Sequence, residues 1–255
     1  MSNLIYFKID STGTDIATDR VLLISALKVE GDTRTTFHRY ILPRGNDWKI
    51  SKEASDINGI TEDFIRKNGE DPVKVFTEFN DFISSPKGFD LVTFNGLNFD
   101  VRLLDIDYSR YGLVFGATYH RMFDMYDIES RNNRNDFAST YLRHVGIDKT
   151  TVLGMKPEKT PENLEKLFWR MSDEYSKEQM LGDFKPVILD LTNLYKANSN
   201  GDLVFVRGKH YGEMVYDVIM NDPDYILFLF KDIVTGESKK IIINEFEKKK
   251  KQQQL

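Results

Sequence analysis

Residues 4–13 read Leu4-Ile5-Tyr6-Phe7-Lys8-Ile9-Asp10-Ser11-Thr12-Gly13, an apolar strand that runs into a carboxylate and a turn. Two more period-two runs follow, Val21–Val29 and Thr35–Leu42, the second entered through the turn at Gly31-Asp32. The spacing predicts three successive strands in an antiparallel meander. Ser51-Lys52-Glu53-Ala54 offers a capping Ser to a short helix, and Asp71-Pro72 places a capping Asp before a Pro at the first helical position. Val73, Phe76, Phe79 and Ile83 then recur at helical spacing. Phe89–Phe94 is a short buried strand, and Val101, Leu103, Leu104 and Tyr108 suit a helix after it. A strand followed by a helix implies a crossover to a parallel neighbour.

Further on, Phe123–Ile128 reads as another strand and Phe137–Val145 as a helix stopped at Gly146. Asp148–Thr160 is loop-like, and Pro161 opens a helical region predicted to run to about Ala197. Four small turn formers, Asn198-Ser199-Asn200-Gly201, mark a boundary. The expected organisation is a main domain over residues 1–197, a small C-terminal module over 201–246 and a low-complexity, frayed tail over 247–255. In the module, Leu203–Val206 and Lys240–Ile243 read as strands, with helices at Met214–Met220 and Asp224–Phe230. The fold class is α/β: a mixed sheet carrying the meander, flanked by helices, with a small α+β module.

Composition narrows the chemistry. The 255 residues are 40% hydrophobic and 29% charged, enough for a full core and too apolar for intrinsic disorder. The net charge is -5, so no global positive field attracts a polyanion, and nucleic acid would have to be held by a local groove or by metal cations. The absence of cysteine excludes disulfides, thiolate zinc sites and a cysteine nucleophile, and fits a reducing, cytoplasmic compartment. No run approaches eighteen apolar residues, so no membrane partner is expected.

Three carboxylates fall where a sheet edge gathers side chains: Asp10 at a strand end, Asp100 at a helix start, and Asp183 in the segment Met180–Tyr195, read as helical. Each also has a purely structural explanation, as a turn former, an N-terminal charge or a solvated position. Together they form an oxygen-only set that suits magnesium or manganese. Two such ions about 3.5–4 Å apart activate a water and stabilise the leaving oxygen of a phosphodiester.

On these residues the chain resembles the DnaQ-like 3'-to-5' exonucleases of the ribonuclease H-like superfamily. Four segments carry the resemblance across roughly residues 3–195: FKIDSTGTD with DRVLLISAL, ISKEASDINGIT at 50–61, FNGLNFDVRLL at 94–104, and FDMYDI with FASTYLRHVGI. The resemblance implies a ribonuclease H-like sheet and metal-dependent hydrolysis at a single-stranded 3' end, DNA or RNA, with magnesium or manganese held by Asp10, Asp100 and Asp183. Substrate contacts are expected from Lys8, Ser11, Thr12, Asn95, Phe99 and Lys209, and Glu178, which stands where the family has another group, is the candidate general base.

The departures define the alternative. The family's first motif has an Asp where this chain has Lys8 and a Glu where it has Asp10, and the His or Tyr before the last Asp is missing, with Glu178 and Gln179 in those places. An ammonium cannot ligate a cation. Lys8 either contacts a phosphate as a point charge or pairs with Asp10, Asp100 or Asp183 and neutralises the cluster. The second expectation is therefore a degenerate, metal-free pseudo-exonuclease that binds nucleic acid or a protein partner, or serves as a structural component. At the other end, Val206-Arg207-Gly208-Lys209-His210-Tyr211-Gly212 with Asp222-Pro223-Asp224-Tyr225 resembles a small module appended to some of these exonucleases. Arg207, Lys209 and His210 form either a phosphate-contacting patch or simply a basic turn.

Overall fold

The computed structural model describes residues 3–84, 89–116, 121–132, 136–148, 150–151, 156–175, 180, 185–186, 195–197, 202–205, 208–232, 242–247 and 249–250. The chain divides into two compact units, Met1–Tyr111 with Phe115–Val187, and Gly112–Val114 with Ile188–Leu255.

The first unit is built on a six-stranded sheet. Its strands are β1 (Leu4–Ser11), β2 (Val21–Glu30), β3 (Thr33–Tyr40), β4 (Asp90–Thr93), β5 (Arg121–Asp124) and β6 (Lys185–Pro186), in the order β3-β2-β1-β4-β5-β6. β1, β2 and β3 are the predicted antiparallel meander. β4 and β5 join parallel to it, and β6 closes the far edge antiparallel. The register sets Lys8 opposite Ser25 and Asp10 opposite Leu23, with an irregularity between Asp10 and Ser11.

Helices cover both faces. Ser51 caps α1 (Lys52–Asn58) by accepting from the Ala54 amide, Thr61 caps α2 (Glu62–Asn68), and Asp71 caps α3 (Pro72–Ile83) by accepting from the Val73 and Lys74 amides. On α3 it is Val75 rather than Val73 that is buried, beside Phe76, Phe79 and Ile83. α4 (Asp100–Arg110) follows β4, α5 (Met125–Asn132) follows β5 directly, and α6 (Phe137–Val145) ends at Gly146 in the left-handed conformation. A 3-10 turn, Pro157–Lys159, leads into α7 (Thr160–Glu174). Because side chains alternate across a strand, Tyr6 meets Phe168 of α7 edge-on at 5.9 Å while Phe7 meets Phe79 of α3 at 6.3 Å. Lys8 and Asp10 continue the Tyr6 side of that alternation.

Several sequence expectations are corrected. Phe123–Ile128 is not one strand: β5 ends at Asp124, whose carboxylate accepts the Tyr126 amide and so caps the start of α5. The helix opened by Pro161 does not reach Ala197. It ends at Glu174, and Lys185–Pro186 and Tyr195–Ala197 are strands, so Met180–Tyr195 is not one helix, although Met180 itself is helical.

The second unit contains a two-stranded antiparallel sheet, β7 (Tyr195–Ala197) and β8 (Leu203–Phe205), with α8 (Val215–Asn221) and α9 (Pro223–Asp232). Its core gathers Tyr195, Leu203, Phe205, Val215, Val218, Ile226, Leu229 and Ile242. Ile242 and Ile243, expected in a strand, are helical. Lys249 and Lys250, expected in a frayed tail, are helical too, with Lys249 Nζ 2.6 Å from Asp202 Oδ1. Among the described residues no helix is long and apolar enough to cross a membrane.

Candidate functional site

The end of β1 and the start of α4 bring Lys8, Asp10 and Asp100 to one place at the sheet edge. Lys8 Nζ donates to both carboxylate oxygens of Asp100, at 2.5 and 2.8 Å. The Asp100 side chain has no exposure, whereas 31% of the Lys8 side chain remains accessible. Burial pushes the Asp100 carboxyl up, and the Lys8 ammonium opposes that shift by charge and hydrogen bonding. Asp10 is pushed up to about 6, chiefly by burial and further by the charges of Asp100 and Glu158, against the pull of Lys8.

The loop between β4 and α4 is fixed by a residue the sequence reading did not single out. Asp124, at the end of β5, accepts from the Asn95 amide at 2.6 Å, the Leu97 amide at 3.0 Å and the Tyr126 amide at 3.1 Å. Burial pushes its carboxyl up to about 6 even though these three amides stabilise the charge. Asn95 sits at φ 58, a left-handed conformation that Asn tolerates better than most residues, and its amide oxygen accepts from Asn98 Nδ2. A Cβ on Gly96 would run into Thr93, with its Cγ2 at 2.7 Å and Cβ at 2.9 Å, so only glycine allows this turn to close. The Phe99 ring centroid lies 5.9 Å from Lys8 Nζ.

Ser11 and Thr12 are buried and their hydroxyls are committed within the turn. Ser11 Oγ donates to the Gly13 carbonyl, and Thr12 Oγ1 donates to Asp19 while accepting the Arg20 amide. Their observed work is to shape the strand end. Two groups beside Asp10 were not expected from sequence: Tyr40 donates its hydroxyl to Glu158 at 2.5 Å. Burial works against the Glu158 charge, yet the Tyr40 hydrogen bond helps hold its pKa below the usual value. Asp183 and Glu178 lie outside the described residues.

Lys209 belongs to the second unit, where its ammonium sits 2.5 Å from Asp222 Oδ2. His210 bridges the same carboxylate through Nε2 at 2.9 Å and Glu213 through Nδ1 at 3.0 Å. Two acids therefore offset the basic turn.

A pair of divalent ions does not fit the arrangement of the described residues. Both Asp100 oxygens already accept from an ammonium, and a dication about 4 Å from that ammonium would be repelled by about 8 kcal/mol at an effective dielectric near 20. Among the described residues no group of three or more His, Asp or Glu is placed to hold a metal. What the arrangement does chemically is keep a buried carboxylate neutralised by an internal cation.

Comparison with known proteins accords with the sheet. No curated protein matches the chain. Among solved structures, a zinc-bound E. coli ExoI–ssDNA complex is similar with a TM-score of 0.58 and 15% identity over 71% of this chain and 42% of that one. A product-bound exonuclease I gives 0.57 and 16% over 68% and 44%. An E. coli exonuclease I complex with a dT13 oligonucleotide gives 0.54 and 16% over 71% and 42%. The chain thus spans less than half the length of these structures, and at such identities the likeness is one of fold. The sequence model of the family described as Exonuclease (RNase_T) matches residues 9–145. That match covers more than half of the chain and includes both Asp10 and Asp100, so the chain belongs to the exonuclease family, on a ribonuclease H-like mixed sheet.

Proposed function

We propose that this chain is a catalytically degenerate member of the exonuclease family, one that binds single-stranded nucleic acid without cutting it. The observation that carries the reading is the ammonium of Lys8 on both oxygens of the fully buried Asp100. Members of the family generally use divalent metals. Here the carboxylate that the resemblance assigns to metal has an internal counter-charge instead. Metal-dependent hydrolysis through Asp10, Asp100, Asp183 and Glu178 would require a dication to displace Lys8 from both Asp100 oxygens. Single-stranded DNA is the ligand carried by E. coli exonuclease I in structures of similar fold, which supports this polymer as the partner. Asn95 and Phe99, at the mouth of the β4–α4 turn, would contact the strand end.

The test is to incubate the purified chain with a labelled single strand and manganese, measuring cleavage and binding together. Retention of the strand with no loss of terminal nucleotides is expected. Cleavage that disappears in Asp100→Ala would overturn the reading.

A further inference from the structure

We infer that the groove between the start of β3 and the outer face of α7 contacts single-stranded nucleic acid, with one base stacked on Trp169 and neighbouring phosphates on Lys166, Arg170 and Arg34. The inference rests on the proposal that the chain binds such a strand, and adds where the attraction comes from. The strand-end cluster sets the one ammonium of Lys8 against the carboxyl groups of Asp10 and Asp100 and offers phosphate no surplus of basic groups. Cations elsewhere must supply it.

The groove is an open surface depression of about 580 Å³. Lys166, Trp169, Arg170 and Asp173 are spaced i, i+3, i+4 and i+7, so they share one face of α7, while Leu164, Leu167, Phe168 and Met171 take the buried face. Trp169 is 48% exposed although indole is among the most apolar of side chains. Its ring is held edge-on to Phe168, with centroids 5.3 Å apart at 81°. Arg34 reaches across from β3 and is fixed by a two-pronged contact with Glu165 at 2.5 and 2.7 Å, yet its side chain stays 55% exposed. Arg170 is more loosely paired, 3.8 Å from Asp173. Three cations and two carboxylates leave the groove positive in a chain whose net charge is -5. An exposed aromatic face among basic side chains is the usual way proteins hold single strands without reading their sequence.

At its Arg34 end the groove is remote from the strand-end cluster. Arg34 pairs with Val29, which pairs with Leu4, six residues before Asp10 on β1, so the two places lie about 20 Å apart along the strand.

The experiment uses the full chain and a fluorescein-labelled dT oligomer, read by anisotropy and by tryptophan emission. Of the two tryptophans Trp48 is buried, so quenching by the oligomer reports Trp169. Quenching is expected, with Trp169→Ala abolishing it and weakening binding about 5- to 150-fold, Trp169→Phe retaining most of the affinity, and Lys166→Gln or Arg170→Gln each lowering the salt slope by about 0.7. Unchanged affinity in Trp169→Ala, with anisotropy still reporting binding, overturns the groove and leaves the strand-binding proposal standing. Absence of any binding overturns both. A poly-glutamate peptide that quenches Trp169 as strongly as the oligomer overturns the assignment to nucleic acid.

Discussion

Lys8 and Asp100, separated by 92 residues in sequence, are joined by two hydrogen bonds in which the ammonium of the first strand occupies both oxygens of a carboxylate at the start of a helix. The pair supplies a fully buried acid with a counter-charge from within the chain. A dication would meet the same carboxylate only after displacing a cation tethered by the backbone.

Removing one partner should therefore cost more than removing both. Lys8→Met leaves Asp100 buried and uncompensated, and a loss of about 3 kcal/mol is expected, toward the low end for a broken buried pair because Lys8 is partly solvated. Lys8→Met combined with Asp100→Leu should recover most of that loss in urea denaturation. Equal losses in the single and double variants would show that the pair does not couple.

The raised acids predict a pH dependence opposite to that of paired surface carboxylates. Asp10 binds its proton more tightly folded, at about 6, than unfolded, near the ordinary Asp value of about 3.9. Its stabilising contribution is complete below about pH 4 and is lost as pH rises through about 6. Asp124 acts in the same direction and over the same window. Comparing wild type with Asp10→Asn should show the variant gaining relative stability between pH 4 and 6. A stability difference that stays flat across that interval would contradict the assignment.

In the second unit His210 has a carboxylate at each ring nitrogen. Burial of the ring works against its charge, but the hydrogen bonds to Asp222 and Glu213 outweigh this and raise its pKa. The stabilisation is thus fully present below the ordinary His value of about 6.5 and disappears as pH climbs through the raised one. Proton NMR should show the His210 ring titrating above the ordinary value, returned toward it by Asp222→Asn. An unshifted His210 in the wild type would show that the two acids do not hold its proton.

The turn before α4 offers a packing test. Gly96→Ala should cost about 1–3 kcal/mol, because the added methyl overlaps Thr93. Thr93→Ala in the same chain should return part of it. Additive losses in the double variant would place the strain elsewhere.

Much of this was readable in the sequence where the signal is local. The meander, the turn at Gly31-Asp32, and the caps at Ser51, Asp71 and Gly146 each depend on a few adjacent residues and lie where they were expected. Boundaries decided by distant partners were not readable. Phe123–Ile128 carries apolar side chains on both sides of Asp124, and what stops the strand there is that carboxylate, shared with the amides of Asn95 and Leu97, almost thirty residues earlier. Ile242 and Ile243 were read as strand but lie in a helix, from which Ile242 packs into the core of the second unit, since a short run does not separate the two periods. At the site, the sequence supplied Lys8 as a departure and offered three acids as its partner. Only the folded chain selects Asp100, and only it brings Tyr40 and Glu158 beside Asp10.

The most direct measurement is a calorimetric titration of manganese into the natural chain and into Lys8→Asp. The account predicts no stoichiometric binding in the natural chain and its appearance once the ammonium is replaced by a carboxylate. Tight manganese binding to the natural chain, lost in Asp100→Ala, would contradict it.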